Sequence, residues 1–100
     1  MADYKVIDRN GNKISTDVLL HPGEIIADEL EARLISQKDF ANRIQMLPPH
    51  LNDLIKGKRN ISAKIAIKLE TELGIDADYW LRVQIKYDLA IERKQHALAG

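Results

Sequence analysis

The sequence predicts an all-α domain of five helices, preceded by a short N-terminal β-hairpin or arm. Apolar residues recur at the 3.6-residue spacing of amphipathic helices throughout the segment that follows Pro22. Prolines, serines and glycines stand where each such segment begins or ends, as helix boundary signals do. The chain has 100 residues, of which 45% are apolar, and this suits one small bundle without a deep catalytic cleft.

Residues 1–20 differ in pattern from the rest of the chain. Two short apolar stretches, at 4–7 and 13–14, flank an Asn10-Gly11 pair, which is typical of a type I′ hairpin turn. Because an isolated hairpin is only marginally stable in water, a loosely ordered arm is the alternative. We therefore divide the chain into an arm or hairpin at 1–20, a helical domain at 21–94 and a flexible tail at 95–100.

The first two helices are indicated by their starts. Pro22 suits the first helical position, and an apolar stripe follows it. That stripe contains Ile25, Ile26, Leu30 and Leu34. Ser36, with Asp39 three residues later, forms a partial capping box for the second helix. The apolar face of the second helix contains Phe40, Ala41 and Ile44.

The next two helices are bounded by glycines at their ends. Helix 3 begins at Pro48 or Pro49 and stops at Gly57. It is predicted to bury Leu51, Leu54 and Ile55. Ser62 caps helix 4, and Gly74 ends it. The apolar stripe of helix 4 contains Ile65, Ala66, Leu69 and Leu73.

Helix 5 carries more apolar surface than a single core requires. Asp76 is its predicted cap, and the helix runs from Ala77 to about Lys94. One stripe contains Trp80, Val83, Tyr87 and Ile91, and another contains Leu81, Ile85 and Leu89. Such a helix packs on its own domain and on a second copy of the chain, unless both stripes are buried within one copy. The predicted dimerisation residues of helix 77–94 are Trp80, Leu81, Gln84, Ile85, Tyr87 and Leu89.

The zero net charge of the chain hides a basic middle. Residues 33–68 contain eight basic and two acidic side chains, a net charge of +6. Residues 1–32 carry −4, and residues 69–100 carry −2. A basic segment between acidic ends is expected of a protein that meets the phosphate backbone of a nucleic acid.

Composition disfavours several other classes of protein. The chain has no cysteine, which excludes disulfides and thiolate metal sites, and its 3 histidines lack metal-ligand spacing. No histidine–carboxylate cluster or glycine-rich phosphate loop indicates an enzyme. No apolar run reaches the roughly 18 residues of a membrane span, and the N-terminus lacks the apolar region of a signal peptide. We therefore expect a non-enzymatic, cytoplasmic protein without a metal, cofactor or membrane contact.

Residues 37–56 have the spacing of a helix-turn-helix motif, with Gln37 as its first residue. Phe40 and Ala41 fall where helix 2 must touch helix 3, and the small Ala41 lets two short helices cross closely. Gln45 occupies the turn position that favours glycine, so either Gln45 bears strain or the turn differs. The alternative to this interpretation is an ordinary helical hairpin within a bundle.

Four segments carry a resemblance to a known family. They read HPGE at 21–24, LNDLI at 51–55, GKRNIS at 57–62 and YWLRVQIKYDL at 79–89. Over roughly residues 20–92, the chain resembles the HigA/VapI-type antitoxins of the Xre (phage repressor-like) helix-turn-helix family. The resemblance implies a five-helix lambda repressor-like domain that forms a homodimer through its C-terminal helices. It also implies binding to a palindromic operator in double-stranded DNA and capture of a HigB-type toxin, an mRNA-cleaving ribonuclease.

In such a motif, helix 3 lies in the major groove of DNA. The outward positions of helix 3 are Pro48, Pro49, Asn52, Asp53 and Lys56. Asn52 suits a bidentate contact to adenine, although a solvated helix face is its alternative role. Lys56 suits guanine or a phosphate, whereas Asp53 accepts from cytosine, repels wrong sites or caps a neighbour. The two prolines offer only apolar contact, such as contact to a thymine methyl group.

The remaining predicted DNA contacts surround helix 3. Gln37 lies at the N-terminus of helix 2, where its side chain and its backbone N–H both suit a phosphate. Contacts to the flanking phosphates are predicted for Lys58, Arg59 and Asn60, unless they form only a solvated turn. His50 is either a phosphate contact or an ordinary surface histidine. Leu47 replaces the usual Ser or Thr cap of this helix.

Toxin capture has two candidate surfaces. The outer face of helix 1 is acidic, which suits a basic ribonuclease, and the arm at 1–20 is the other candidate. The acidic face contains Glu24, Asp28, Glu29 and Glu31. Two other functions fit the same residues. They are a stand-alone Xre-family regulator without a toxin, and a helical interaction module that binds no DNA.

Overall fold

The computed structural model describes residues 19–99, and within them the chain folds into five α-helices without a strand. The helices are α1 (Pro22–Arg33), α2 (Gln37–Arg43), α3 (Pro48–Ile55), α4 (Ala63–Leu73) and α5 (Ala77–Ala99). The predicted all-α, five-helix class is therefore confirmed. The hairpin or arm predicted at 1–20 falls almost wholly outside the described residues. No helix of the described part has the length and apolar character needed to cross a lipid bilayer.

Side chains just ahead of three helices satisfy their first backbone N–H groups. His21 Nδ1 accepts from the Gly23 N–H at 2.9 Å, while Glu24 Oε2 accepts from the His21 N–H at 3.3 Å. Ser36 Oγ accepts from the Asp39 N–H, and Ser62 Oγ accepts from the Ile65 N–H. The predicted caps of helices 2 and 4 are therefore confirmed, and His21 supplies a reciprocal cap for α1.

Three consecutive helices end in the same backbone turn. The residue that follows each of α1, α2 and α3 by one or two positions has a positive φ, which is 59° at Leu34, 55° at Gln45 and 79° at Gly57. In each turn, the next N–H reaches back five residues: Ile35 to the Leu30 carbonyl, Met46 to Ala41 and Lys58 to Asp53. This is the Schellman arrangement, which satisfies the last carbonyl groups of a helix.

Two of these three turns hold a residue other than glycine in the left-handed region. The turn at Gln45 keeps the left-handed geometry that favours glycine, so Gln45 bears backbone strain. Such strain was one of the two alternatives predicted for this residue. Leu34 corrects the predicted stripe of helix 1. It is 92% exposed rather than buried, because the left-handed turn directs the chain away from the core at this residue.

The core is formed by all five helices around Trp80, which is fully buried. Its indole N–H donates to the Ile75 carbonyl at 3.1 Å, which satisfies the one polar atom of the ring. Most apolar positions predicted for helices 2, 3 and 4 are confirmed as core. Within the described residues, the fully buried apolar side chains are Pro22, Ile26, Phe40, Ala41, Leu51, Leu54, Ala66, Leu69 and Trp80.

Helix α5 begins where predicted but is longer than predicted. The Asp76 carbonyl accepts from the Tyr79 and Trp80 N–H groups, so Asp76 stands at the helix start. A side chain of α4 also contributes, because Glu70 Oε2 accepts from the Ala77 N–H at 2.9 Å. The helix continues to Ala99, beyond the predicted end near Lys94.

The first turn of α1 lies directly on the last turn of α3. A Cβ atom on Gly23 would overlap the Leu54 carbonyl oxygen and would lie 2.9 Å from both Ile55 Cα and the Ile55 carbonyl oxygen. These neighbours are backbone atoms, so no side-chain rotation relieves the overlap. The absence of a side chain at Gly23 therefore sets the distance between α1 and α3.

We expect Gly23→Ala to destabilise the fold by about 3 kcal/mol, the upper end of the usual cost of overpacking, because the overlapping neighbours are backbone atoms. Urea unfolding followed by circular dichroism measures the change. Gly74→Ala is the matched control. It meets no atom within 4 Å but adopts a φ of 75°, so its cost should be only about 1–2 kcal/mol. An equal loss of stability in the two variants would contradict the close approach.

Candidate nucleic-acid interface

Helix α3 has one buried face and one face at the surface. Leu51 and Leu54 are fully buried, and they fix α3 against α1 and α2. All five predicted outward positions lie outside the core. Pro48, Pro49 and Lys56 are exposed, and Asn52 and Asp53 are partly exposed. The structure therefore presents these side chains together along one face of a short helix.

The remaining predicted contacts also lie at the surface. Gln37 is exposed at the first position of α2, and His50 is partly exposed in the first turn of α3. Lys58, Arg59 and Asn60 are exposed in the loop that joins α3 to α4. None of the ten predicted DNA-binding residues is used to build the core.

A buried glutamine holds this loop against α5. Gln84 is only 4% exposed, and its Oε1 accepts from the Ile61 N–H at 2.7 Å. Its Nε2 donates to Asn60 Oδ1 at 3.1 Å and to Asp88 Oδ1 at 2.9 Å. Three of the four hydrogen-bonding positions of the amide are thus used within the chain. The side chain of Asn60 is consequently held by α5 through its Oδ1 atom.

The burial of Gln84 and Trp80 corrects part of the predicted dimer surface. Both were predicted dimerisation residues, yet each is enclosed within its own chain and presents almost no area to a partner. Their spacing on the helix is that of a stripe, and the stripe faces the core. The other four residues of the prediction are Leu81, Ile85, Tyr87 and Leu89.

Those four residues lie on two different sides of α5. Leu81 and Ile85 line a groove beside Ile61, and Ile85 and Leu89 are 53% and 43% exposed. Tyr87 lines a separate groove formed with Leu19, Leu20, Tyr79 and Val83. Its ring also stands edge-to-face against His21, with the ring centroids 4.8 Å apart.

Two basic residues of the middle segment face α4. Arg33 donates from Nη2 to the Leu73 carbonyl at 2.8 Å and pairs with Glu29 at 3.0 Å. Arg43 lies 3.8 Å from Glu72. These arginines act within the fold, the first by satisfying a carbonyl at the C-terminal end of α4. The basic side chains at the end of α3 and in the loop after it are those of Lys56, Lys58 and Arg59.

Leu47 was not among the predicted contacts, but it is exposed beside them. It is the N-cap residue of α3, its side chain makes no capping bond, and it is 62% exposed. The sequence signal was its departure from the usual Ser or Thr cap, which leaves an apolar side chain with no role in the helix start.

The fold and the exposed face of α3 define a small helix-turn-helix protein. A profile of the helix-turn-helix family matches residues 26–80, and the chain belongs to this family. Its predicted resemblance to the HigA/VapI-type antitoxins is also confirmed.

Two solved structures are similar to the chain over most of its length. One, from Nostoc punctiforme, is described as an antidote protein of a plasmid maintenance system. It is 34% identical, with a TM-score of 0.78, over 81% of this chain and 89% of its own. The other is the Pseudomonas aeruginosa antitoxin HigA with the higBA promoter. It is 32% identical, with a TM-score of 0.77, over 82% of this chain and 90% of its own.

A third relative aligns with this chain over a smaller share of its own length than the two solved structures do. Virulence-associated protein I of Dichelobacter nodosus is 35% identical over 71 residues, which are 70% of this chain. The chain spans 66% of that relative's length, just under two thirds.

We expect Gln84→Leu to destabilise the fold by about 1–3 kcal/mol, because the Ile61 N–H would lose its acceptor in a buried place. Gln95→Leu, at an exposed position of the same helix, is the matched control and should change stability by less than about 0.5 kcal/mol. Thermal unfolding of both variants measures the difference. Equal melting temperatures would show that Gln84 does not hold the loop.

Proposed function

We propose that the chain is an antitoxin that binds an operator in double-stranded DNA as a homodimer and neutralises a HigB-type toxin. The observation that carries the DNA-binding part is the surface face of α3, which ends in a basic loop at Lys58 and Arg59. A similar chain, the Pseudomonas aeruginosa HigA, has been solved with a promoter. A helix of this size fits the width of the major groove.

We assign the contacts to DNA bases to side chains in the middle and at the end of α3. Asn52 and Lys56 lie four residues apart, so they share one face of the helix. Asn52 pairs with adenine through its amide, and Lys56 reaches guanine or a phosphate. Asp53 accepts from a cytosine amino group or excludes bases that lack such a donor. His50, in the preceding turn, reaches the backbone beside them.

Phosphate contacts are assigned to the two edges of the motif. Gln37 approaches one phosphate from the start of α2, where the helix N-terminus favours an anion. Lys58 and Arg59 approach the backbone on the other side, where the loop follows α3. Because Gln84 fixes Asn60, this loop keeps its shape without DNA and loses little conformational entropy on binding.

Dimerisation is assigned to the exposed apolar residues of α5. Ile85 and Leu89 lie four residues apart on one face, next to the groove that Leu81 lines. For both α3 helices to enter successive major grooves, a two-fold dimer joined there must place them about 34 Å apart, which is one turn of the duplex. A near-palindromic operator is the consequence of that symmetry.

Toxin capture is assigned to the acidic face of α1. Glu24 and Glu29 already have partners within the fold, in the His21 cap and the Arg33 pair. Asp28 and Glu31 are exposed and lie three residues apart, so they form the outward charge of this face. A basic ribonuclease would be attracted by them at long range.

We expect Arg59→Ala to weaken binding to operator and to unrelated duplex alike. It should also lower the slope of log K against log salt by about 0.9, the value for one lost phosphate contact. Fluorescence anisotropy over a series of salt concentrations measures this slope. Arg93→Ala removes the same charge from an exposed site near the end of α5 and should leave the slope unchanged. Equal slopes for wild type and Arg59→Ala would remove Arg59 from the interface.

We expect Asn52→Ala to relax selectivity at one base position by about 1–3 kcal/mol while leaving binding to unrelated duplex unchanged. Selection from operator variants with randomised bases, followed by sequencing, measures the change position by position. Asn52 is partly exposed, so the variant should keep most of its stability. An unchanged selectivity profile would exclude Asn52 from base readout.

We expect the tagged chain to co-purify from its host with a small basic ribonuclease in stoichiometric amount. We also expect Glu31→Lys to slow association with that protein several-fold at low salt. Glu92→Lys reverses the same charge at an exposed site on α5 and is the matched control. If the chain binds its operator but no toxin co-purifies, it acts as a stand-alone regulator and the antitoxin part of the proposal is wrong.

A further inference from the structure

The first four helical residues of α3 offer no free backbone N–H to DNA. Its first two residues are Pro48 and Pro49, which have no N–H. The next two N–H groups, of His50 and Leu51, both donate to the Leu47 carbonyl, at 2.9 Å and 3.1 Å. These four residues therefore do not supply the backbone N–H groups with which a helix N-terminus usually binds a phosphate.

The side chains at this end are apolar and exposed. Leu47 is 62% exposed, and Pro48 and Pro49 are exposed beside it. Leu47 makes no capping bond, so its side chain does not help α3 to begin. These three consecutive residues, which we name the apolar tip, cover the end of α3 opposite the basic loop at Lys58 and Arg59.

We infer that the apolar tip makes α3 selective for thymine, through contact with the C5-methyl group in the major groove. That group is the only methyl group that an unmodified base pair presents there, and it distinguishes thymine from the other bases. A leucine and two proline rings have no polar atom with which to read a base edge. The inference rests on the proposed DNA binding, and it deepens that function by naming the base at the start of α3.

Helix α3 then recognises base pairs in two ways, one at each end. Asn52 and Lys56 read polar groups from the middle and end of the helix, while the apolar tip reads shape and methyl groups at its beginning. The prolines also fix φ near −65°, so the tip is rigid before it meets DNA. Rigid apolar contacts lose little entropy on binding, which favours their use in selectivity.

The test replaces thymine by deoxyuridine, which pairs with adenine in the same way but lacks the methyl group. Operator duplexes are made with one thymine replaced at a time, in both half-sites, and the dissociation constant is measured by anisotropy. We expect at least one thymine whose replacement weakens wild-type binding by about fourfold for each methyl group removed. Replacement of the other thymines should have little effect.

Variants then assign the effect to the apolar tip. At least one of the variants Leu47→Ala, Pro48→Ala and Pro49→Ala should bind the duplex with thymine at that position and the duplex with deoxyuridine there with equal affinity. Leu34→Ala removes a leucine that is even more exposed than Leu47, from the end of α1, and should keep the full fourfold difference. Thermal melting of each variant confirms that the exposed substitutions leave the fold intact.

The outcomes separate this inference from the proposed function. If the wild-type chain binds its operator but tolerates deoxyuridine at every thymine, the apolar tip reads no methyl group and the inference fails alone. If all three variants keep the fourfold difference, other residues read the methyl group, and the inference also fails. If the chain binds no operator at low salt, the proposed DNA binding itself is wrong.

Discussion

The contact between the first turn of α1 and the last turn of α3 is the constraint on which the rest of the structure depends. Only a residue without a Cβ atom fits at Gly23, because the backbone of Leu54 and Ile55 fills the space that a side chain would need. His21 caps α1 in the same place, and a Cβ atom on Gly57 would be in ordinary van der Waals contact with the His21 ring, at 3.6 Å. Gln84 holds the following loop from the side of α5. The end of α3 is therefore held by α1 and α5 together, and its outer face is left at the surface.

Rigidity at this end of α3 has a functional consequence. A helix of eight residues has little stability of its own, so its orientation comes from the elements packed against it. Leu51 and Leu54 fix its inner face, and the Gly23 contact and the Gln84 network fix its end. Base readout requires side chains to be placed before DNA arrives, since ordering them on binding would weaken the complex. The buried residues that never touch DNA thus determine how well the exposed ones can act.

Much of the fold could be predicted because its signals are local. Caps at Ser36 and Ser62 and the stop at Gly57 act through atoms a few residues away, so sequence alone locates them. Leu34 could not be predicted, since its spacing fits an apolar stripe and only the left-handed turn removes it from the core. Trp80 and Gln84 share the stripe spacing of a dimer surface, and spacing does not say which side of a helix faces its own domain. Whether these residues of α1 and α5 are buried or exposed therefore depends on tertiary packing.

The candidate interface, like the fold, could be predicted from the sequence only in part. Motif spacing correctly predicted that Asn52, Lys56 and the other candidate contacts lie at the surface, because the position of a residue in the motif fixes its side of α3. Charge counting was less informative, since Arg33 and Arg43 serve α4 rather than the basic surface beside α3. The sequence indicates only that Leu47 is an unusual cap, since its exposure depends on how α3 packs in the folded chain.

The most direct test of the account is an NMR titration of the isotope-labelled chain with a duplex from the promoter region of its own gene. The account predicts saturable amide shifts at Gln37, along the outer face of α3 and through residues 58–60, with the α1 face and the second half of α5 little changed. Shifts confined to α1 or α5, or no saturable shift at low salt, would contradict the claim that α3 is presented for DNA by the contacts that hold its end.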